Sequence, residues 1–414
     1  MQFPPSPHSR PTVDTPPHTL PDVPHHLPAA LDKEMTSSIV YRQQLLDWLN
    51  IYMPFGGACC TMVDPDSLLS AGAVVEQQLE SIHTGLLHYE YQHAHAHDAY
   101  VQLVHAQPPV SVLSQHDSSI LLVHPRYCEL LQPAGFADEL RAALMYKGKC
   151  WGFLTLYRQQ QHPLFSPSEK QWIIQLAPLI AERLRWFHLH TLQTAEHNDQ
   201  QHDISHTTLA HTDISYSNIS NSEQLHSSES STTTVANSSP IVADQGILLL
   251  SSDLTILSSN RAASSWLEQL CQHENEETSH LPRPLHTAAL QLLHQSAEAE
   301  PFQERVQSCI PANGRYIAIS VQLLYTMDND QQLFIEMTQA SPEQLFQLRC
   351  DMFSLTTREQ ELIAHVIKGR STRQIADQLY ISSFTVQDHL KSIFAKTNTS
   401  SRRELLALLR SSSI

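Results

Sequence analysis

Gln387, Asp388 and Lys391 set an amide, a carboxylate and an ammonium close together in one short stretch, with Ser392 and Ala395 beyond them and Phe384 near the start. Between them Val386, Leu390, Ile393 and Phe394 recur at i, i+4, i+7 and i+8. That spacing is one apolar stripe on a helix, which leaves the other face polar and partly basic. A face with no core to enter meets solvent or a partner. The groups it carries match the edges of bases: Gln pairs with adenine, Asp accepts from the cytosine amino group, and Lys reaches guanine or phosphate.

The elements that hold this helix are readable upstream. Thr356 and Glu359 form a capping box just before Leu362, Ile363, Val366 and Ile367, which share one helical face. Gly369 follows, where a chain leaving a helix often needs a positive φ that glycine adopts without steric cost. Ser371 and Gln374 form a second box, opening a short helix with Ile375, Ala376 and Leu379 inward. Tyr380 and Ile381 make the turn, and Ser382 caps the third helix. Two short helices before a longer one with an unburied polar face is helix-turn-helix geometry, whose last helix enters the major groove.

Residues 354–410 resemble the LuxR-type, or GerE-like, helix-turn-helix domain. The pattern L-T-x-R-E, G-x-S, I-A-x-x-L-x-I-S-x-x-T-V, H-L, K and R-x-E-L is met by Leu355, Thr356, Arg358, Glu359, Gly369, Ser371, Ile375, Ala376, Leu379, Ile381, Ser382, Thr385, Val386, His389, Leu390, Lys396, Arg402, Glu404 and Leu405. Many members carry Lys directly after T-V. Here Gln387 and Asp388 follow, a version found in a subgroup, which changes the expected readout rather than the expectation of binding. The resemblance implies DNA contacts from Arg373, Ser382, Ser383, Thr385, Gln387, Asp388, Lys391 and Lys396, with Arg373 and Lys391 directed to phosphate or guanine. It also implies that a fourth helix, Arg402 to Leu409, is the dimer contact, through Leu405 and Leu408. The alternative is that its leucines complete their own core. Leu405, Leu406 and Leu409 span a narrow arc that suits this, and Leu408 projects aside.

The chain has 414 residues, room for two to four domains. Its net charge of −17 is unevenly placed: nine basic and five acidic residues between Leu355 and Arg410 give a local +4, leaving −21 for the rest. That asymmetry fits a DNA-reading head on an acidic sensor. The seven cysteines (Cys59, Cys60, Cys128, Cys150, Cys271, Cys309 and Cys350) contain no C-x-x-C pair and read as reduced and intracellular. No apolar run reaches the length of a membrane span, and the opening MQFPPSPHSRP has no signal core. The expectation is a cytoplasmic protein with no membrane partner. No nucleophile elbow, P-loop or H-E-x-x-H motif is present, so no enzyme is expected.

Ahead of the head, composition divides the chain. Residues 1–35 are dense in Pro and His and read as a disordered arm, a proline-rich ligand being the alternative. Residues 36–190 read as the first folded unit. It opens with a helix from Ser37 to Met53 turning Leu45, Leu46, Leu49 and Tyr52 inward. A strand from Ala58 to Val63 follows, and later a hairpin of Glu139 to Met145 and Cys150 to Tyr157. A helix from Ser168 to Leu189 closes the unit. The run D-E-L-R-A-A-L, W-G-F-L-T-L-Y-R, F-S-P-S-E and a long helix resembles the end of a GAF domain over 136–188, which implies a small-molecule sensor or a dimerisation module. His93 and His97, at i, i+4, could share a metal on a helix, and on a strand His93, His95 and His97 would line one face. With 26 histidines in the chain the cluster reads as ordinary surface or core residues, and no metal ligand is assigned. Cys59 and Cys60 read as small core residues rather than thiol sensors.

Residues 191–238, including SSESSTTTVANSSP, offer too little apolar surface to offset the entropy of ordering and read as a flexible linker. Residues 239–341 read as a second unit: strands Gly246 to Leu250 and Leu254 to Ser258, a helix opened by Asn260, and late strands Arg315 to Tyr325 and Gln332 to Thr338. G-I-L-L-L-S-S-D-L-T-I-L-S-S-N-R-A-A in this order of elements resembles a PAS domain; a ligand-free α+β dimerisation unit is the alternative. No flavin-adduct cysteine or haem ligand is recognisable, so the cofactor stays unknown. Ser341 to Phe353 reads as a connecting helix into the head, 342–414. The whole is a multidomain chain: an α+β GAF-like sensor, an α+β PAS-like module and an all-α four-helix LuxR-type head. The expected function is a sequence-specific DNA-binding transcriptional regulator. It would act as a homodimer on duplex DNA, with a small-molecule effector and RNA polymerase as further possible partners. The alternative is a partner-binding regulator whose head is masked or used for protein interaction.

Overall fold

The computed structural model describes residues 20, 31, 37–93, 99–115, 124–209 (side chains to 191), 245–274 (side chains to 272), 281–294, 305–312 and 315–409. Most of the proline-rich arm lies outside them, but Leu31 is buried in the hydrophobic core that runs through both sheets, and Leu20 packs against that core.

Helix α1 (Ser38–Tyr52) is capped by the Ser37 hydroxyl and buries Tyr41, Arg42, Leu45, Leu46 and Leu49. Apolar spacing foretold the leucines but not Arg42. Its guanidinium donates to the carbonyls of Cys60 at 3.0 Å and Gly72 at 2.7 Å, which pins the helix to two strands. Strands β1 (Gly57–Val63), β2 (Ser70–Val75), β3 (Val110–Val112), β4 (Phe136–Tyr146) and β5 (Lys149–Gln159) form an antiparallel sheet in the order β2-β1-β5-β4-β3. The β4–β5 turn is Lys147-Gly148, both with positive φ, as a tight hairpin turn requires. Helices α2 (Glu80–Gln92) and α3 (Tyr100–His105) lie on one side of the sheet, where Leu86 and Leu103 meet Tyr157 and Phe153. Alternate residues of β4 and β5, among them Leu140, Ala142, Leu154 and Leu156, face α1 and the closing helix α4 (Pro167–Leu209).

Helix α4 runs for 43 residues, twenty beyond the Leu189 at which the sequence reading ends it. The first part of the expected linker is therefore helical backbone. No Gly or Pro occurs between 190 and 209 to stop the helix. A composition polar on all sides reads as disorder, yet a solvated helix carries the same composition.

A second sheet follows: β6 (Gly246–Ser251), β7 (Ile256–Ser259), β8 (Arg305–Ala312), β9 (Arg315–Tyr325) and β10 (Gln331–Gln339), with helices α5 (Arg261–Glu274) and α6 (Arg283–Leu293) between β7 and β8. Its order is β7-β6-β10-β9-β8. Numbered within its own sheet, each module has the order 2-1-5-4-3. Leu254, expected in a strand, takes positive φ in the turn instead. The Asn260 side chain accepts from the amides of Ile247 at 3.0 Å and Ala263 at 2.8 Å, so one residue anchors β6 and starts α5.

The modules pack on each other. Asp64 accepts from the Ser308 hydroxyl at 3.2 Å and the Cys309 amide at 3.3 Å, and Arg283 donates to the Ala73 carbonyl at 3.0 Å. His188 of α4 lies 2.9 Å from the Tyr316 hydroxyl of β9. Helix α7 (Pro342–Met352) then leads to the head, which also touches the first sheet. Lys149 reaches Asp66 at 2.5 Å and Asp351 at 3.4 Å, the Ser354 hydroxyl donates to the Lys147 carbonyl at 3.2 Å, and Arg185 donates to the Met352 carbonyl. Burial and the adjoining Asp66 carboxyl push Asp351 up to about 7.

Histidines line the seam between α2 and α6. The His88 ring lies 5.6 Å from that of His286 and 6.1 Å from that of His294, centroid to centroid. Burial pushes His83 down to about 3, with Arg283 and His286 adding to it, and His286 down to about 4, with His88 adding. His88 and His294 are also lowered, chiefly by burial. In the unfolded chain these imidazoles protonate near 6.5, so as pH falls the unfolded state binds protons first. Stability complete above 6.5 is lost progressively as the pH falls through the folded values. The thermal midpoint of the full chain should therefore fall between about pH 7 and about pH 4.5. His286→Gln should make that fall shallower; an equally steep decline in the variant would place the acid lability elsewhere.

Candidate nucleic-acid interface

Four helices make the head: α8 (Thr357–Ile367), α9 (Thr372–Leu379), α10 (Ser383–Thr397) and α11 (Arg402–Leu409). Their ends follow the capping chemistry. Thr356 with Glu359 and Ser371 with Gln374 are complete capping boxes, and Ser382 accepts from the Thr385 amide. At the start of α11 the Ser401 hydroxyl accepts from the Glu404 amide, at 3.2 Å, while the Glu404 carboxylate accepts from the Ser400 amide. Gly369 has φ +73°, and Tyr380 and Asn398 are left-handed where α9 and α10 end.

Leu362, Ile363, Val366, Ile375, Ala376, Val386, Leu390, Ile393, Leu405 and Leu409 form the core, with Leu355 beneath them. Polar ties set the helices' angles. Arg358 donates to the Leu379 carbonyl at 2.8 Å, and Arg402 donates to the Arg370 carbonyl at 3.1 Å and the Thr372 hydroxyl at 2.9 Å. Glu359 does most. Its carboxylate accepts from the Thr356 amide at 2.8 Å, the Ser392 hydroxyl at 2.7 Å and the Lys396 ammonium at 2.7 Å. Burial alone would raise its pKa, but Lys396, the Thr356 amide and Ser392 together hold the carboxyl below its ordinary 4.5.

The expected contact residues separate. Arg373, Ser382, Ser383, Gln387, Asp388 and Lys391 are exposed and Thr385 is half-buried. Asp388 and Lys391 approach to 3.8 Å with both side chains largely in solvent, a pairing too weak to withhold either from a ligand. The Ser382 and Thr385 hydroxyls bond each other at 2.8 Å as part of the cap. Lys396 departs from the expectation: its ammonium is engaged by Glu359 and, at 3.0 Å, by the Ser354 carbonyl, so it braces α10 from behind. Leu405 departs too. It is fully buried in its own core and cannot reach a partner, whereas Leu408 is half-buried. Sequence reasoning gave no role to Phe384, 69% exposed at the start of α10; the signal was an aromatic residue on an otherwise polar face.

Elsewhere the candidates stay structural. Each of the seven cysteines is a free thiol, and burial pushes Cys60 up to about 12, the behaviour of a core residue rather than a reactive one. His93 stacks on Tyr89 at 4.0 Å, while His95 and His97 lie outside the described residues. Among the described residues, no group of three His, Cys, Asp or Glu is arranged to hold a metal. No described helix is long and apolar enough to cross a membrane.

Capped helices around an exposed α10 define a helix-turn-helix head. Residues 353–409 match the family model for bacterial regulatory proteins of the luxR family, and residues 50–184 match the GAF domain. The chain thus carries a LuxR-type head behind a GAF domain. It is similar to the monoamine regulon transcriptional regulator of Klebsiella aerogenes, 47% identical over 53 residues, and to the uncharacterized transcriptional regulatory protein YvfU of Bacillus subtilis (strain 168), 35% identical over 68 residues. These matches cover 13% and 16% of this chain, and 23% and 34% of those relatives. Among solved structures the Vibrio cholerae VqmA dimer, described as a LuxR-type receptor, is 14% identical, with 40% of this chain and 82% of that chain covered and a TM-score of 0.19.

Glu359→Ala would strip a cap, a hydroxyl and an ammonium of their shared acceptor. It should destabilise the head by about 2–4 kcal/mol, read as faster amide exchange over residues 357–409 of the full chain. The carboxylate's contribution is present above 4.5 and lost as pH falls through its lower folded value, so the gap between variant and parent should narrow in acid. Unchanged exchange near neutral pH would remove Glu359 from this role.

Proposed function

We propose that this chain is a sequence-specific DNA-binding transcriptional regulator that reads duplex DNA with α10. The observation that carries the reading is that Gln387, Asp388 and Lys391 stay exposed on one face of a helix whose opposite face is locked into the core. Arg373 on α9 and Ser382, Ser383 and Thr385 at the start of α10 supply phosphate or base contacts. Exposure with both sensory modules docked favours DNA reading over the alternative of a masked head.

The remainder serves control. Residues 36–190 form the GAF sensory unit. Residues 239–341 are read as a PAS-like module, on the order strand, turn, strand, Asn260 and helix, in which Asn260 ties β6 to the start of α5. Residues 342–414 are the head, and α4 takes 191–209, the first part of the segment between the two modules. A small-molecule effector alters the sensory pair, and its effect reaches the head through the contacts at Lys149, Arg185 and Asp351. The protein binds rather than catalyses, acts in the cytoplasm, and engages RNA polymerase from its site. The head pairs through Leu408, so that two recognition helices meet half-sites about one helical turn apart.

Selection from random duplex DNA with the full chain tests the reading: a recurrent sequence is expected, and none would refute it. On the selected site Lys391→Ala should weaken binding by about 1–3 kcal/mol if Lys391 meets a base, and lower the salt slope by about one if it meets phosphate. Unchanged affinity and slope would take Lys391 off the interface. Leu408→Arg should leave the helical circular dichroism intact yet abolish cooperative binding to a two-half-site duplex. Cooperativity equal to the parent's would move the dimer contact to the sensory modules.

A further inference from the structure

Among the described residues of the head, Tyr380 and Phe384 are the large hydrophobic side chains left exposed. They differ in setting. Tyr380 occupies the left-handed turn before α10, whereas Phe384 is the second residue of α10 itself. From Phe384, Gln387 and Asp388 are i+3 and i+4 and Lys391 is i+7, so the phenyl ring heads the same stripe as the amide, the carboxylate and the ammonium. Val386, two residues on, is fully buried, so the ring points away from the core that surrounds its neighbour. Apolar surface left in water at 69% exposure gains nothing for the head's own stability.

The occupant follows from the stripe. The residues nearest the N-terminus of a recognition helix lie closest to base edges. The floor of the major groove offers one apolar group, the C5-methyl of thymine. Seven residues of helix rise about 10 Å, about three base pairs, so Phe384 and Gln387 address the same or adjacent pairs. An adenine read by the Gln387 amide has a thymine opposite it, and that thymine carries its methyl on the same groove floor. The head as a whole carries a local charge of +4, which draws it rather than the acidic remainder of the chain to DNA.

We propose that Phe384 is a specificity-determining residue that packs on the C5-methyl of a thymine within each half-site. The inference rests on the DNA-reading function above and has its own test. Each thymine of the selected site is replaced in turn by deoxyuridine, which removes the methyl and keeps every hydrogen bond. The full chain should bind about fourfold more weakly when one particular thymine per half-site is changed, the effect of one apolar methyl. Phe384→Ala should bind the thymine and deoxyuridine duplexes equally, and Phe384→Leu should restore part of the difference. If no thymine shows the effect, or Phe384→Ala keeps the full difference, the proposal is overturned and the exposed ring serves a protein partner. A full chain that selects no duplex at all overturns the DNA reading itself, a result distinct from tight binding that ignores the methyl.

Discussion

The Glu359 carboxylate, buried between α8 and α10, fixes the geometry on which the rest of the head depends. Apolar packing of Val386, Leu390 and Ile393 holds α10 against its neighbours without setting its rotation sharply, because the hydrophobic effect has no direction. The bonds from Ser392 and Lys396 to one carboxylate do have direction, and they lie one turn apart on α10. Glu359 also completes the cap of its own helix, so the start of α8 and the back of α10 are tied to a single group. The exposed face of α10 is then the one that points away from it. Arg358 and Arg402 hold the intervening helix from its two ends by the same means, guanidinium to backbone carbonyl.

How far the head was legible follows from which interactions are local. Capping boxes, Gly369 and the apolar stripes all span a few residues, and they fix the helices and their order. The roles of Lys396 and Leu405 depend on partners far along the chain. Glu359 lies 37 positions from Lys396, and nothing near Lys396 marks it as a brace rather than a DNA contact. A leucine on a short amphipathic helix likewise reads alike whether it meets its own core or a second copy. The motif letters record that such positions are fixed without saying which bond fixes them.

The sensory half was legible as strands and helices and opaque as an assembly. Strand alternation and the turn at Lys147-Gly148 are short-range signals. The contacts of Asp64 with Ser308 and Cys309 join residues more than 240 apart, and the histidine seam joins two helices from different modules. Arg42 shows the limit most plainly: a charged residue at an inward position reads as a break in the apolar stripe, yet two strand carbonyls complete it. The extent of α4 was missed because polarity and helicity are independent properties of a segment.

Helix α4 touches everything within a single turn. Arg185 bonds the carbonyl of Met352 at the entrance to the head, His188 meets Tyr316 of the second sheet, and Leu189 packs against the head's core. Its preceding turns, from Trp172 to Leu184, are part of the core that runs through both sheets. Modular proteins are commonly thought to evolve by exchange of whole units at their boundaries. Here the boundary residues belong to three units at once, so a sensor transplanted from another lineage would arrive without its matching surfaces. One turn of helix thus serves as a shared wall between sensor, second sheet and head, and a change of shape at that turn is felt by all three.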